Sequence, residues 1–488
     1  MDVARSLGPR ARSRIPQAEK LCRLPDDTVR DLLESGLCGV MKPKRFGGSE
    51  LGAETMIDVS VELASHCAST GWVYMLWAAH MWMQALWPAA AQEEMFANPN
   101  MLASSVVSTS GDVVPVKGGY RWTGRGFFSS GVDHCSWLTG AVQVPNEDTG
   151  VPGRRWLLIP REDFEIVDDW HTVGLRGTGS KTIVLTDVFV PFERTLDDAD
   201  VKQGTSPGLL VNSNPMYGAI SPANFTAAMA APAIGAARGL LRAFEERLRS
   251  KLGSADRPEV NGPYAVGPSS LGTTMARYAA AVAQVDAVQA LTVQNAQRFS
   301  RVPAGKVSAD ARAKCRRDQA FAAQQARKAV NTIYEECGGT GLLETSELQR
   351  IWRDANAAAA HRGLTWDWQA DEWPRTIFGL PTPDREAHLS RWSFSGSRRG
   401  GGRNRPAVMA GCRRGDRVIR GHLDYQIQPE PGQFQPDGVP VDERAYASRG
   451  ACGNHVPWVE GGDRGCVGHE PCHAPDQVAC AGFLAQVA

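Results

Sequence analysis

Thirty consecutive residues, Leu63 to Gln92, contain no Asp, Glu, Lys or Arg, and Trp72–Trp87 within them is dense in aromatic and apolar side chains. A helix without charge must be buried, either in a bilayer or inside a large protein core. His80 and Gln84 interrupt the middle of the run, Pro88 follows it, and no Lys/Arg cluster flanks it. Those features argue against a membrane span. The run reads instead as a helix covered on all sides in a helical domain. Such burial needs many other packing elements, and 488 residues at 42% apolar and 22% charged can supply them.

The rest of the chain divides by pattern. Residues 15–95 read as helical, with a start signal at Pro25-Asp26-Asp27 and helical spacing of Val29, Leu32, Leu33 and Leu37. Gly47-Gly48 breaks that pattern, and Met56, Val59, Val61, Leu63 and Ala64 begin another helix. Between residues 100 and 200, Val, Thr, Trp and Phe rise. A turn at Lys117-Gly118-Gly119 and the run Thr182–Leu185 point to strands. Residues 219–380 return to long alanine-rich helices. One stripe runs Met275, Tyr278, Val282, Val285, Val288. Another, capped by Ser308, runs Ala322, Ala326, Ala329, Ile333, Cys337. These lengths suit a helical bundle, with a loop over Ser254–Gly272. The expected class is α+β, with divisions at 1–98, 99–210, 211–383 and an irregular 384–488.

After Pro383 there is no lysine, arginine and glycine abound, and neither strand nor helix period persists. Residues 384–488 are expected to be a disordered or out-of-frame tail. Cys452-x-x-His455 and Cys466-x-x-His469-x-x-Cys472-His473 match no common zinc spacing, so no metal is expected. Fifty-three basic residues balance fifty-three acidic ones, which argues against nucleic-acid binding by bulk charge. Eleven cysteines without a Cys-x-x-Cys pair, and an N-terminus lacking an apolar leader, point to the cytoplasm.

Two glycine–hydroxyl runs stand out, Phe127-Phe128-Ser129-Ser130-Gly131 and Gly174-Leu175-Arg176-Gly177-Thr178-Gly179-Ser180. Glycines admit a flat ligand and hydroxyls bind its polar edge, although strand-end turns have the same composition. No dinucleotide fingerprint, P-loop, HExxH or GxSxG is present.

These runs, with Arg45-Phe46-Gly47-Gly48, Asp187-Val188-Phe189-Val190-Pro191, Cys337-Gly338-Gly339-Thr340-Gly341 and Arg350-Ile351-Trp352-Arg353-Asp354, resemble the acyl-CoA dehydrogenase fold over roughly residues 15–383. Within that superfamily the chain is most similar to the oxygenase components of two-component (group D) flavin-dependent monooxygenases, such as para-hydroxyphenylacetate hydroxylase and the secosteroid phenol hydroxylase. The resemblance implies an N-terminal helical domain, a central β-barrel domain and a C-terminal four-helix bundle. It further implies a homotetramer that takes reduced FMN or FAD from a separate NAD(P)H-dependent flavin reductase. With O2, the enzyme would hydroxylate a phenolic or polycyclic aromatic substrate through a C4a-hydroperoxyflavin. Ser129 or Ser130 would accept from the flavin N5–H. Arg176, Thr178, Gly179 and Ser180 would contact the cofactor, and Gly338 and Gly339 one held by a neighbouring subunit. His80, Ser104 and Ser105 would line the pocket, and His361 would take the phenolic proton.

The stretch Asp354–Gly363 carries no glutamate after the Arg-Asp pair, so the carboxylate base of the commonest dehydrogenases is missing there. Three alternatives remain from sequence: an N- or S-oxygenase on the same scaffold, a dehydrogenase with its glutamate elsewhere, and an interaction protein acting through the Arg/Cys tail.

Overall fold

The computed structural model describes residues 1–145, 153–219, 227–253 and 270–382, all within the compact unit Met1–Gly400. The tail at 384–488 with its Cys/His constellation, and most of the Ser254–Gly272 loop, lie outside the described residues.

Six helices open the chain: α1 (Asp2–Ser13), α2 (Ile15–Leu21), α3 (Asp26–Glu34), α4 (Ala53–His66), α5 (Ala68–Gln84) and α6 (Ala89–Phe96). The charge-free run is not one helix: it covers the end of α4, all of α5 and the start of α6, with breaks at Cys67 and before Ala89, and all 17 residues of α5 are buried. Among the described residues no helix is long and apolar enough to cross a membrane. Small residues let the helices around α5 approach closely. A Cβ on Gly71 would lie 2.4 Å from the Ala64 Cβ and 2.6 Å from the Ala64 backbone nitrogen on α4. Gly71→Ala should therefore destabilise the protein by about 1–3 kcal/mol through overpacking, read as a lower urea midpoint with an unchanged slope.

Eight strands follow: β1 (Ala103–Val106), β2 (Ser108–Val116), β3 (Gly119–Ser129), β4 (Trp137–Val144), β5 (Gly153–Pro160), β6 (Glu165–Val167), β7 (Lys181–Pro191) and β8 (Thr195–Asp197). They form two four-stranded sheets, ordered β1-β4-β5-β8 and β2-β3-β7-β6. Both sheets contribute to one core, including Val106, Trp122, Leu138, Leu157, Ile183 and Leu185. The expected barrel is thus two sheets around a shared interior, joined by packing rather than by ladder hydrogen bonds among the described residues. Gly118 takes the tight β2–β3 turn at φ +87°, a backbone conformation that glycine adopts at no steric cost.

After the short helix α7 (Asp198–Gln203), four long helices make the bundle: α8 (Ala231–Gly253), α9 (Leu271–Phe299), α10 (Ala309–Glu335) and α11 (Glu347–Ala359). Ser308 caps α10 by accepting from the Ala311 N–H, as its position suggests. Ala322, Ala326, Ala329 and Ile333 are buried along it. On α9 only the later part of the expected stripe is covered: Val285 and Val288 are buried, whereas Met275 is exposed. Two short helices, α12 (Trp366–Ala370) and α13 (Glu372–Ile377), complete the described chain.

Candidate functional site

Five segments bring the candidate residues together. The first is the end of β3. Its register against β7 shifts between Gly126 and Ser129, a bulge that re-aims the side chains following it. Phe128 sits there at φ +65° and is 61% exposed, edge-on to Trp170 with ring centroids 6.4 Å apart. Ser129 and Ser130 turn inward instead. Gly131 must be glycine, because a Cβ would lie 2.8 Å from both the Trp77 Nε1 and the Val73 Cγ1 on α5.

The second segment is the turn Leu175–Ser180. Thr178 carbonyl accepts from the Gly131 N–H at 2.8 Å, which ties this turn to the end of β3. Leu175 takes φ +52°, an unfavourable conformation for a branched side chain. It is held from the bundle: Leu175 N–H donates to the Asp354 Oδ1 on α11 at 2.7 Å, and Arg353 donates to the Val173 carbonyl. Lys181 closes the turn by pairing with Asp133 at 2.8 Å and Asp168 at 3.0 Å.

Behind these loops lies a set of buried hydroxyls. Trp72 Nε1 on α5 donates to Ser130 Oγ at 3.1 Å, and Ser130 Oγ and Ser180 Oγ are 2.7 Å apart. Ser180 Oγ and Thr178 Oγ1 are 2.7 Å apart, and Thr178 Oγ1 donates to the Leu175 carbonyl at 2.9 Å. Ser129 Oγ donates to Ser104 Oγ at 3.0 Å. Ser129 and Ser104 are both 0% exposed and Ser130 is 7% exposed, so Ser130 is the better placed of the pair to meet a ligand.

The third and fourth segments are β1 and α5. His80 Nε2 and Ser105 Oγ are 2.8 Å apart. His80 is buried and Ser105 half-buried. Desolvation pushes His80 down to about pKa 4, opposed by a hydrogen bond to the Ala103 backbone. The Ser105 contact fits either tautomer of the neutral ring; with the hydrogen on Nδ1, the Nε2 lone pair faces Ser105.

The fifth segment follows α11, where His361 packs on Trp72 with ring centroids 5.5 Å apart. Its Nδ1 accepts from the Gly363 N–H at 3.0 Å. A neutral imidazole with an accepting Nδ1 carries its proton on Nε2, so in this arrangement His361 offers a donor, where the sequence reading asks for an acceptor. Desolvation lowers the His361 pKa, although the residue as a whole is exposed.

The remaining candidates are placed differently. Arg176 Nε donates to the Glu19 carbonyl at 2.9 Å, turned toward α2. Gly179 takes φ +53° beside Asp133. Gly338 and Gly339 are exposed in the turn after α10, where an added Cβ on either would meet nothing within 4 Å. Trp72 and Asp354 were not singled out for a role by sequence. Trp72 is hidden in an apolar run that also carries Trp77 and Trp82, so no sequence signal marks its indole N–H.

The comparisons with known proteins agree with this architecture. Residues 3–97 match the family "Acyl-CoA dehydrogenase, N-terminal domain" and residues 227–366 match "Acyl-CoA dehydrogenase, C-terminal domain". The chain is 34% identical over 388 residues to the flavin-dependent monooxygenase oxygenase subunit HsaA of Mycobacterium tuberculosis, covering 78% of this chain and 95% of that protein. It is 33% identical over 383 residues to the oxygenase component of an FADH(2)-dependent resorcinol hydroxylase from Rhizobium sp., covering 76% and 91%. The crystal structure of 3-HSA hydroxylase from Rhodococcus sp. superposes with a TM-score of 0.73 at 33% identity, covering 79% of this chain and 98% of that one. The chain therefore belongs to the oxygenase components of two-component flavin-dependent monooxygenases, enzymes of the acyl-CoA dehydrogenase fold that use a reduced flavin and O2.

Proposed function

We propose that this oxygenase hydroxylates a phenolic or polycyclic aromatic compound, with Ser105 and His80 withdrawing the phenolic proton. The observation that carries this reading is the Ser105–His80 pair, 2.8 Å apart, the serine half-buried and the histidine buried. Two relatives named as hydroxylases, one of them of resorcinol, support the substrate class.

The residues fit a reduced flavin. An uncovered aromatic ring at Phe128 lies next to the serine pair, and Ser129 already donates its proton to Ser104. Acceptor oxygens beside an aromatic surface suit a flat ring whose edge donates. When bound, the flavin activates O2 and supplies the oxygen atom. The protein's part is proton handling and exclusion of water. Phenolic O–H donates to Ser105 Oγ, and the Ser105 proton passes to His80 Nε2. At pH 7 burial keeps His80 neutral and its lone pair available. Negative charge growing on the phenolic oxygen raises the basicity of the imidazole as the proton leaves. His361, donating from Nε2, would hold the same phenolic oxygen or the oxygen being transferred.

We further place the enzyme in the cytoplasm as a homotetramer supplied by a separate NAD(P)H-dependent reductase. Leu342 and Leu343, 70% and 56% exposed beside Gly338-Gly339, support a covered face there. Light scattering on the full chain should give four subunits at micromolar concentration, and a monomer would contradict the assembly. The activity test supplies reduced flavin from a reductase with 18O2 and a panel of phenols. A labelled hydroxylated product is expected, and release of hydrogen peroxide alone with every phenol would overturn the substrate class.

A further inference from the structure

One direction along the buried hydroxyls behind Ser130 gives every contact a hydrogen. An indole nitrogen only donates and a carbonyl only accepts, while each hydroxyl has one hydrogen. Thr178 gives its hydrogen to the Leu175 carbonyl, so Ser180 must donate to Thr178. With that hydrogen committed, Ser130 must donate to Ser180, and Ser130 also receives the Trp72 N–H. Any other assignment leaves one of these contacts without a hydrogen. Ser130 is left with one lone pair and no hydrogen to offer a ligand.

The far end of this chain is rigidly held. The Leu175 carbonyl also accepts the Thr178 N–H at 3.1 Å and the Trp170 Nε1 at 3.1 Å, and the Leu175 N–H is bound by Asp354. All three links, Trp72, Thr178 and Ser180, are buried. Water therefore does not compete for these bonds, and the cooperative direction of the chain persists.

We propose that this one-way relay makes Ser130 an obligatory acceptor, and that it thereby selects the reduced over the oxidised flavin. The inference rests on the reading that the flavin N5 edge meets the Ser129–Ser130 corner. Reduced N5 carries a hydrogen and can donate to Ser130. Oxidised N5 has only a lone pair, which would face the Ser130 lone pair unsatisfied. Trp72, Thr178 and Ser180 are then positioning residues rather than cofactor ligands. The discrimination suits an enzyme whose cofactor arrives by diffusion, because spent oxidised flavin competes for the same pocket.

The test is an equilibrium one that needs no turnover. Dissociation constants for oxidised FMN and FAD, and anaerobically for their reduced forms, give a ratio of oxidised to reduced for each variant. Ser180→Ala and Thr178→Val free the Ser130 hydroxyl to rotate and donate, so the ratio should fall about fivefold, the weight of one net hydrogen bond. Thr178→Ser, which keeps the hydroxyl, should restore it. If Ser130→Ala lowers the ratio while Ser180→Ala and Thr178→Val leave it at the parent value, the relay is overturned and the flavin placement stands. If Ser130→Ala itself leaves the ratio unchanged, the placement fails and the relay with it.

Discussion

Replacing His80 with glutamine is expected to lower hydroxylation at pH 7 by about 10²–10⁴, the usual weight of a general base, while leaving reduced-flavin affinity near that of the parent. The loss should be conditional on pH. A phenol with a pKa near 10 is about 0.1% ionised at pH 7 and about 10% at pH 9. The His80→Gln rate should therefore climb up to about a hundredfold over that span as the substrate ionises unaided, whereas the parent should change little. His361→Ala serves as the contrast. It removes a donor to oxygen, so a loss of about tenfold to a hundredfold is expected, without recovery in alkali. Product per reduced flavin, measured from pH 6 to 9, reads both variants. Alkaline recovery in His361→Ala, with His80→Gln as active as the parent at pH 7, would return the base role to His361.

The second large effect concerns stability. Asp354 is buried on α11, and burial raises its carboxyl from 3.8 to about 6, with Arg350 and the Leu175 N–H only partly opposing the shift. The folded state thus holds the Asp354 proton more tightly than the unfolded chain does. Below pH 3.8 the group costs nothing; the cost grows as pH rises and is complete above about 6. A shift of about two units corresponds to about 3 kcal/mol. Asp354→Asn, which mimics the protonated acid and keeps an acceptor for Leu175, should be more stable than the parent by up to that amount at pH 7.5. The advantage should shrink toward zero near pH 4. Urea midpoints of the two proteins between pH 4.5 and 8 test this. A variant less stable than the parent across that whole range would mean that the Arg350 pairing outweighs burial.

The sequence by itself determined the succession of helix, strand and helix, because those signals are local. The centre of the charge-free run reads as a buried helix, Ser308 can cap α10, and Gly118 can take a tight turn, each judged from a few neighbouring residues, whereas the breaks at either end of α5 are not legible there. The two serine-rich corners and both histidines were legible as residue types in a family pattern. Their chemistry was not, since a hydrogen bond's direction belongs to a pair and the pairs are distant in sequence. Trp72 reaches Ser130 across 58 residues and Leu175 reaches Asp354 across 179. Only the folded chain decided that Ser129 is sealed while Ser130 keeps a lone pair, and that Thr178 and Ser180 stand behind Ser130 in one file. The same holds for His361, whose proton is assigned to Nε2 by one backbone N–H at Gly363. Identical imidazoles become donor or acceptor according to the single partner that tertiary packing sets against each ring nitrogen.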